Sequence, residues 1–196
     1  MKSKRCDVHI NPVTGERAAV RVRPDETGGQ LMVVDLYIRP GGAVVGEHFH
    51  PTIEERFEVV RGRVGCKLGT TTGVAGPGDK LVIPARVVHD WWNAGPEEAL
   101  VRVEISPSAR FQAMVMNIFG LAQDGKTDGK GRPNLLQLSL FAQEFSDVVI
   151  FTEPPPAVQK ILFSLLAPIA RLAGYRGSYP EYLIRPPSET MEVEES

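Results

Sequence analysis

Two histidines lie two residues apart in the segment GAVVGEHFHPTIEERFEVVRG, which begins at Gly42. Because successive side chains of a β-strand point to opposite faces, His48 and His50 are expected to share one face of a strand. Two imidazoles on one face can bind the same ion, and imidazole suits iron, nickel, copper and zinc. The spacing therefore predicts half of a metal site.

A carboxylate ligand follows on the next predicted strand, where Glu54 and Glu55 are adjacent. Strand alternation separates them, because Glu55 shares a face with the apolar Phe57. Glu54 shares its face with Arg56 and Glu58, and turning that face inward would bury two charges without partners. We therefore predict that Glu55 points inward and is the ligand.

A third imidazole lies in a second segment, GDKLVIPARVVHDWWN, in which alternation places His89 on the same face as Val87 and Trp91. Three imidazoles and a carboxylate suit one divalent ion, and an octahedral ion bound in this way keeps about two positions for water, dioxygen or substrate. The alternative is a relic site that no longer binds metal. The remaining histidine, His9, is interpreted as an ordinary surface or core residue.

The elements that must position these ligands are short strands, because the apolar residues between Ala18 and Ser106 recur with period two and are interrupted by Gly and Pro. Eight such strands favour a closed barrel or jelly roll. The predicted strands are 18–23, 30–39, 44–50, 55–61, 63–69, 80–84, 87–93 and 99–105.

The two segments resemble the two signature motifs of the cupin superfamily, G-x5-H-x-H-x3,4-E-x6-G and G-x5-P-x-G-x2-H-x3-N. The first motif matches at Gly42, His48, His50, Glu55 and Gly62, and the second at Gly78, Pro84, His89 and Asn93. Arg86 stands where the second motif has Gly, which puts the local turn in question. The resemblance covers about half of the chain.

That resemblance implies a mainly β protein with the cupin double-stranded β-helix, a jelly-roll barrel, over residues 1–106. It also implies one divalent metal ion held by His48, His50, Glu55 and His89. Iron or manganese is the preferred ion, with nickel, copper or zinc as alternatives.

The chain after Ser106 changes to helical spacing of its apolar residues. We predict a helical extension over residues 107–186 that packs on the barrel or on a dimer mate, including a helix that begins at the prolines 154–156. Residues 187–196 are polar and acidic, and we expect a disordered tail there.

Composition excludes several classes of protein. The net charge of −2 and the isoelectric point near 6.1 provide no basic field for nucleic acid. No apolar run resembles a secretory signal or a membrane span, so a cytoplasmic protein is expected. The two cysteines, Cys6 in an N-terminus expected to fray and Cys66 in a strand, are too few for a disulfide framework and are interpreted as free thiols.

The side chains expected around the ion are apolar, and Phe57 and Trp91 are the candidate pocket residues. We therefore predict a mononuclear-metal dioxygenase, an oxidoreductase acting on a small, largely apolar or aromatic substrate. The alternatives are a metal-dependent isomerase, cyclase or decarboxylase that uses Lewis-acid chemistry, or a cupin that binds a small molecule without turnover.

Glu47 or a water is the candidate base for the Lewis-acid alternative, but strand parity directs Glu47 away from the ion, so no catalytic residue beyond the ligands is identified. A sugar-phosphate substrate is disfavoured, since Arg56, Arg61 and Arg102 are expected to face outward. A homodimer is the expected assembly.

Overall fold

The computed structural model describes residues 3–43 and 46–194, which form twelve strands and four α-helices. The strands are β1 (Ser3–Ile10), β2 (Arg17–Val22), β3 (Met32–Ile38), β4 (His48–Phe49), β5 (Glu54–Arg61), β6 (Val64–Leu68), β7 (Thr71–Ala75), β8 (Lys80–Ile83), β9 (His89–Asn93), β10 (Ala99–Ser106), β11 (Ile150–Phe151) and β12 (Glu189–Glu194). The helices are α1 (Phe111–Gln123), α2 (Leu135–Glu144), α3 (Pro156–Leu172) and α4 (Pro180–Leu183).

The strands form two antiparallel sheets whose inner faces share one core. The order in the larger sheet is β12-β1-β2-β3-β10-β5-β8, and in the smaller sheet it is β11-β4-β9-β6-β7. Alternation directs Val101 and Val103 of β10 inward, where they share an apolar cluster with Trp91 of the opposite sheet. This arrangement confirms the predicted jelly-roll barrel followed by a helical segment.

The turn between β5 and β6 shows why a glycine is required at one motif position. Gly62 has a φ of +85°, which L side chains rarely adopt. A Cβ atom there would also lie 2.8 Å from the Cα of Ala99. Gly62 therefore allows β5 to reverse tightly beside the start of β10.

The two ends of the chain correct two sequence-based predictions. Cys6 was expected in a frayed terminus, but it is 2% exposed within β1. Residues 187–196 were expected to be disordered, yet β12 pairs with β1 from Ser3↔Glu194 to Val8↔Glu189. Val193 packs with Cys6 and Val8 in a second apolar cluster, so the polar composition of the tail concealed an alternating strand.

Strand boundaries also differ from the prediction. The strand predicted at 44–50 is represented by β4, and residues 44 and 45 lie outside the described residues. Strand β7 was not predicted; most of its residues are exposed, so it lacks the apolar alternation that marks a half-buried strand.

The four α-helices all lie in the C-terminal half of the chain, as predicted, and the short strand β11 lies between α2 and α3. Their apolar faces extend the barrel core through Met114, Phe119, Phe141 and Phe145. None of the helices in the described part of the chain combines the length and the hydropathy needed to cross a bilayer. Packing on the barrel brings part of this half next to the predicted metal ligands.

Candidate metal centre

Three histidines converge inside the barrel. His48 lies on β4 opposite His89 of β9, and His50 follows two residues after His48. One ring nitrogen from each lies within 4.8 Å of those of the other two, and all three side chains are buried. The cluster could hold a metal ion, and it contains the three histidines that the sequence singled out.

The carboxylate comes from the opposite sheet. Glu55 Oε2 lies 3.1 Å from His89 Nε2 and 3.5 Å from His50 Nε2. The neighbouring Glu54 points away and pairs with Arg56 at 2.8 Å. The structure thus places Glu55 inward and Glu54 outward, as strand parity predicts.

Each imidazole is oriented by a backbone carbonyl through Nδ1. His48 donates to Gly46 O at 2.6 Å, and His89 to Val87 O at 2.9 Å. His50 donates to Val148 O at 2.6 Å, across a sequence separation of 98 residues. Because a carbonyl oxygen only accepts, Nδ1 carries the hydrogen in each ring and Nε2 keeps its lone pair.

Three polar atoms at the centre of this cluster show whether the residues suit a metal ion. His50 Nε2, His89 Nε2 and Glu55 Oε2 are buried and have no hydrogen-bond partner. A buried polar atom without a partner costs on the order of 1–3 kcal/mol. One divalent cation would satisfy all three, and this donor set is one that such cations bind. The residues therefore fit the metal that the motif resemblance implies.

The electrostatics of the cluster favour the charge states that metal ligands need at His48 and Glu55. Burial, reinforced by the neighbouring His89 and His50, lowers the pKa of His48 to about 4, so this ring is neutral at pH 7. Burial alone would raise the pKa of Glu55, but its contacts with His50 and His89 hold that pKa well below its ordinary value. Burial would lower the pKa of His50, but Glu55 raises it, so metal binding at this ring competes with its protonation.

Aromatic rings cover the cluster from the C-terminal half. The ring of Phe111, at the start of α1, lies 5.7 Å from that of His50. The ring of Phe151, on β11, lies 6.3 Å from that of His48. Sequence reasoning missed both, because no local spacing connects residues 111 and 151 with the motif segments.

The predicted pocket residues lie together inside the barrel. The rings of Phe57 and Trp91 are buried and 5.1 Å apart, and both line a narrow cavity of about 10 Å³. Its other lining side chains, such as Leu81 and Ile83, are mainly apolar. That volume is about the space of one water molecule, so a substrate requires the barrel mouth to open further.

A larger concavity of about 410 Å³ lies on the surface between α2 and the end of α3. It is lined by Gln143, Arg171 and Tyr175 among others, and by none of the four candidate ligands. We therefore do not associate this concavity with the metal centre.

Charged residues near the motif segments are engaged outside the barrel. Arg61 pairs with Glu98 at 3.3 Å, and Arg102 pairs with Asp35 at 2.8 Å. Glu47 pairs with Lys67 and accepts a hydrogen bond from Thr152, instead of pointing at the histidines.

Arg86 stands where the second motif has Gly, and its backbone adopts the conformation that this position requires. Arg86 adopts a φ of +68°, the conformation that a glycine at this position would adopt freely. Its N–H donates to the carbonyl of His50 at 2.7 Å, so the turn before β9 is attached to a ligand residue. The substitution keeps the turn that the motif requires.

Comparison with known proteins agrees with this geometry. Residues 35–106 match the family model of the Cupin domain, and this range contains all four candidate ligands. The polyketide synthase CurC of Streptomyces cyaneus is 30% identical over 103 residues, which cover 53% of this chain and 67% of that protein.

Similar solved structures cover about half of the chain. KdgF from Halomonas sp. has a TM-score of 0.42 and 23% identity, covering 47% of this chain and 78% of its own. A predicted oxalate decarboxylase from Thermotoga maritima has a TM-score of 0.44 and 16% identity, covering 46% and 79%. These two likenesses carry no inference about activity. The matched domain, the CurC relative and the buried three-histidine cluster together show that this chain belongs to the cupin superfamily.

Proposed function

We propose that this cupin is a metal-dependent enzyme in which His48, His50, Glu55 and His89 hold one divalent ion, with iron or manganese preferred. The observation that carries the proposal is the group of buried atoms without partners, His50 Nε2, His89 Nε2 and Glu55 Oε2. When bound, such an ion supplies a Lewis acid and open positions for a chelating substrate or dioxygen.

The protein's own groups have distinct tasks in this proposal. The carbonyls of Gly46, Val87 and Val148 fix the orientation of the three rings. The Glu55 carboxylate contributes negative charge, so the bound cation is partly neutralised in a buried setting. The aromatic rings of Phe111 and Phe151 keep bulk water from the cluster.

The proposed reaction is dioxygenation of a small, largely apolar or aromatic compound. Two features support this substrate class: the buried aromatic side chains of Phe57 and Trp91 inside the barrel, and the pairing of Arg61 and Arg102 with acidic residues outside the barrel. The relative's name adds a narrower class, because polyketides carry phenolic rings or 1,3-dicarbonyl groups that can chelate a metal through two oxygens. We therefore propose a polyketide-like aromatic or 1,3-dicarbonyl substrate.

A second candidate is Lewis-acid isomerisation, cyclisation or decarboxylation of the same compounds. The name of the relative, a polyketide synthase, favours this candidate, because polyketides can be cyclised or decarboxylated without dioxygen. Binding of a small molecule without turnover is the third alternative.

The test is elemental analysis of the full chain purified without chelator or metal-affinity tag, followed by anaerobic reconstitution with iron(II). Oxygen uptake is then measured over a panel of catechols and 1,3-diketones. Glu55→Gln is the site variant and Glu54→Gln the matched control, since the two carboxylates are adjacent but point to opposite faces.

Near-stoichiometric iron or manganese with substrate-dependent uptake that Glu55→Gln loses and Glu54→Gln keeps is the expected result. Bound metal without uptake, but with turnover of the diketones in the absence of oxygen, would favour the Lewis-acid candidate. A wild-type protein that takes up no divalent metal would refute the proposal.

We further propose that the protein is a homodimer formed through α3. Five large apolar side chains, each at least half exposed, follow one another at spacings of three and four residues on this helix: Val158, Ile161, Leu165, Ile169 and Leu172. We call them the α3 face. Soluble monomers rarely expose a contiguous apolar face of this kind, whereas an interface between subunits buries one.

A further inference from the structure

A short segment of the C-terminal half lies directly against the strand that carries the metal ligands. Residues Val148–Thr152, which we call the covering segment, run antiparallel to β4, with Ile150 opposite Phe49 and Phe151 opposite His48. This segment lies outside residues 35–106, which match the Cupin domain.

The first end of the covering segment is attached to a candidate ligand. The carbonyl of Val148 accepts the hydrogen bond from His50 Nδ1 at 2.6 Å. Val148 is itself fixed, because its N–H donates to Phe145 O at 2.9 Å and its side chain is buried. The carbonyl therefore has a defined position, from which it selects the ring orientation that leaves His50 Nε2 facing Glu55.

The second end is fastened beside another candidate ligand. Thr152 N–H donates to the carbonyl of Glu47 at 3.2 Å, and its hydroxyl donates to Glu47 Oε1 at 3.0 Å. Glu47 is in turn paired with Lys67 of β6. Between the two ends, Phe151 lies over His48. The covering segment thus contacts the cluster through Val148 and Phe151 and is held to Glu47 by Thr152.

We propose that the covering segment both orients a metal ligand and controls metal release. Val148 positions His50, and the segment must leave β4 before a bound ion can escape. The inference rests on the proposed metal binding. If docking of the segment on β4 raises the affinity of the site for metal, then bound metal must stabilise the docked segment by the same free energy. Thr152 is then a positioning residue that acts through the segment, without contact to the metal.

The test uses the full chain loaded with cobalt(II), whose visible absorption reports the ligand field, and measures the rate of metal release to excess chelator. Thr152→Val removes the hydroxyl and keeps the shape of the side chain, whereas Thr152→Ser keeps the hydroxyl and removes the methyl group. Thr190→Val is the distant control, since Thr190 bonds Arg5 at the β1–β12 edge.

Loss of one hydrogen bond should raise the open population, and with it the release rate, by about three- to tenfold in Thr152→Val. Thr152→Ser and Thr190→Val should release metal at nearly the wild-type rate. Equal release rates in Thr152→Val and the wild type would overturn the inference. A wild type that binds no cobalt would instead count against the proposed metal site.

Hydrogen exchange of the wild-type backbone supplies a second measurement that needs no variant. The amides of the covering segment should exchange several-fold more slowly when metal is bound, while those of the β1–β12 ladder should not change. Exchange in the covering segment that is independent of metal would contradict the coupling.

Discussion

His50 Nδ1 lies 2.6 Å from the carbonyl oxygen of Val148, although 98 residues separate the two along the chain. This hydrogen bond joins a residue of the first motif to the segment that follows α2. It is one of the points at which the helical half of the protein reaches the candidate metal centre, together with the rings of Phe111 and Phe151. Both halves of the chain therefore contribute to the candidate metal centre.

Removal of a candidate ligand should lower metal content and thermal stability together. We expect both His50→Ala and Glu55→Ala to lose most of the bound metal, and their melting temperatures to lose the stabilisation that a bound ion gives the folded state. Elemental analysis and calorimetry measure the two quantities. His9→Ala is the control, since His9 lies outside the cluster, and unchanged metal stoichiometry in both ligand variants would refute the assignment.

Glu16 should make stability depend on pH. Burial raises its pKa to about 7, and a hydrogen bond from Thr14 only partly opposes the shift. The folded state thus holds the proton more tightly than the unfolded state, whose pKa is near 4.5. The stabilisation is complete below pH 4.5 and is lost as the pH rises through 7.

Replacement by an uncharged isostere should remove this dependence. We expect Glu16→Gln to be more stable than the wild type at pH 8, by on the order of 2 kcal/mol, with the difference shrinking towards pH 5. Urea unfolding at both pH values measures it. Parallel stability profiles of variant and wild type would show that Glu16 is ionised without cost.

Asp35 should be a stabilising residue of the larger sheet. It is 2% exposed and lies 2.7 Å from Arg21 and 2.8 Å from Arg102. Asp35→Asn leaves two guanidinium groups without their carboxylate, so we expect a loss of about 3 kcal/mol in the free energy of unfolding.

The matched control for that change is Asp25→Asn. Asp25 pairs with Arg23 at 2.8 Å, but both side chains are largely exposed, so denaturant unfolding should detect no change. Equal losses in the free energy of unfolding for the two substitutions would mean that burial does not strengthen the ion pairs of Asp35.

The α3 face should set the oligomeric state. We expect sedimentation to show a dimer of the wild type and a monomer of Leu165→Glu, because a buried carboxylate without a partner is costly. Ser164→Glu, one residue away and outside the α3 face, should remain dimeric. A wild type that sediments as a monomer at micromolar concentration would refute the proposed interface.

The sequence alone was sufficient to predict the barrel and the inward direction of the candidate ligands. Both follow from period two, because alternation decides which side chains meet in a sheet that has one buried face. The same rule separated Glu55 from Glu54, and the structure places them as expected. The predictions failed where apolar alternation is weak, as in β12 and β7.

Tertiary structure decided the features that no local pattern encodes. The hydrogen bond between His50 and Val148 and the ring of Phe151 over His48 depend on how the chain returns after α2. A backbone carbonyl has no side-chain signature, and packing over a separation of 98 residues leaves no periodic trace in the sequence. Short-range alternation therefore determined the candidate ligands, whereas long-range packing determined what orients and covers them.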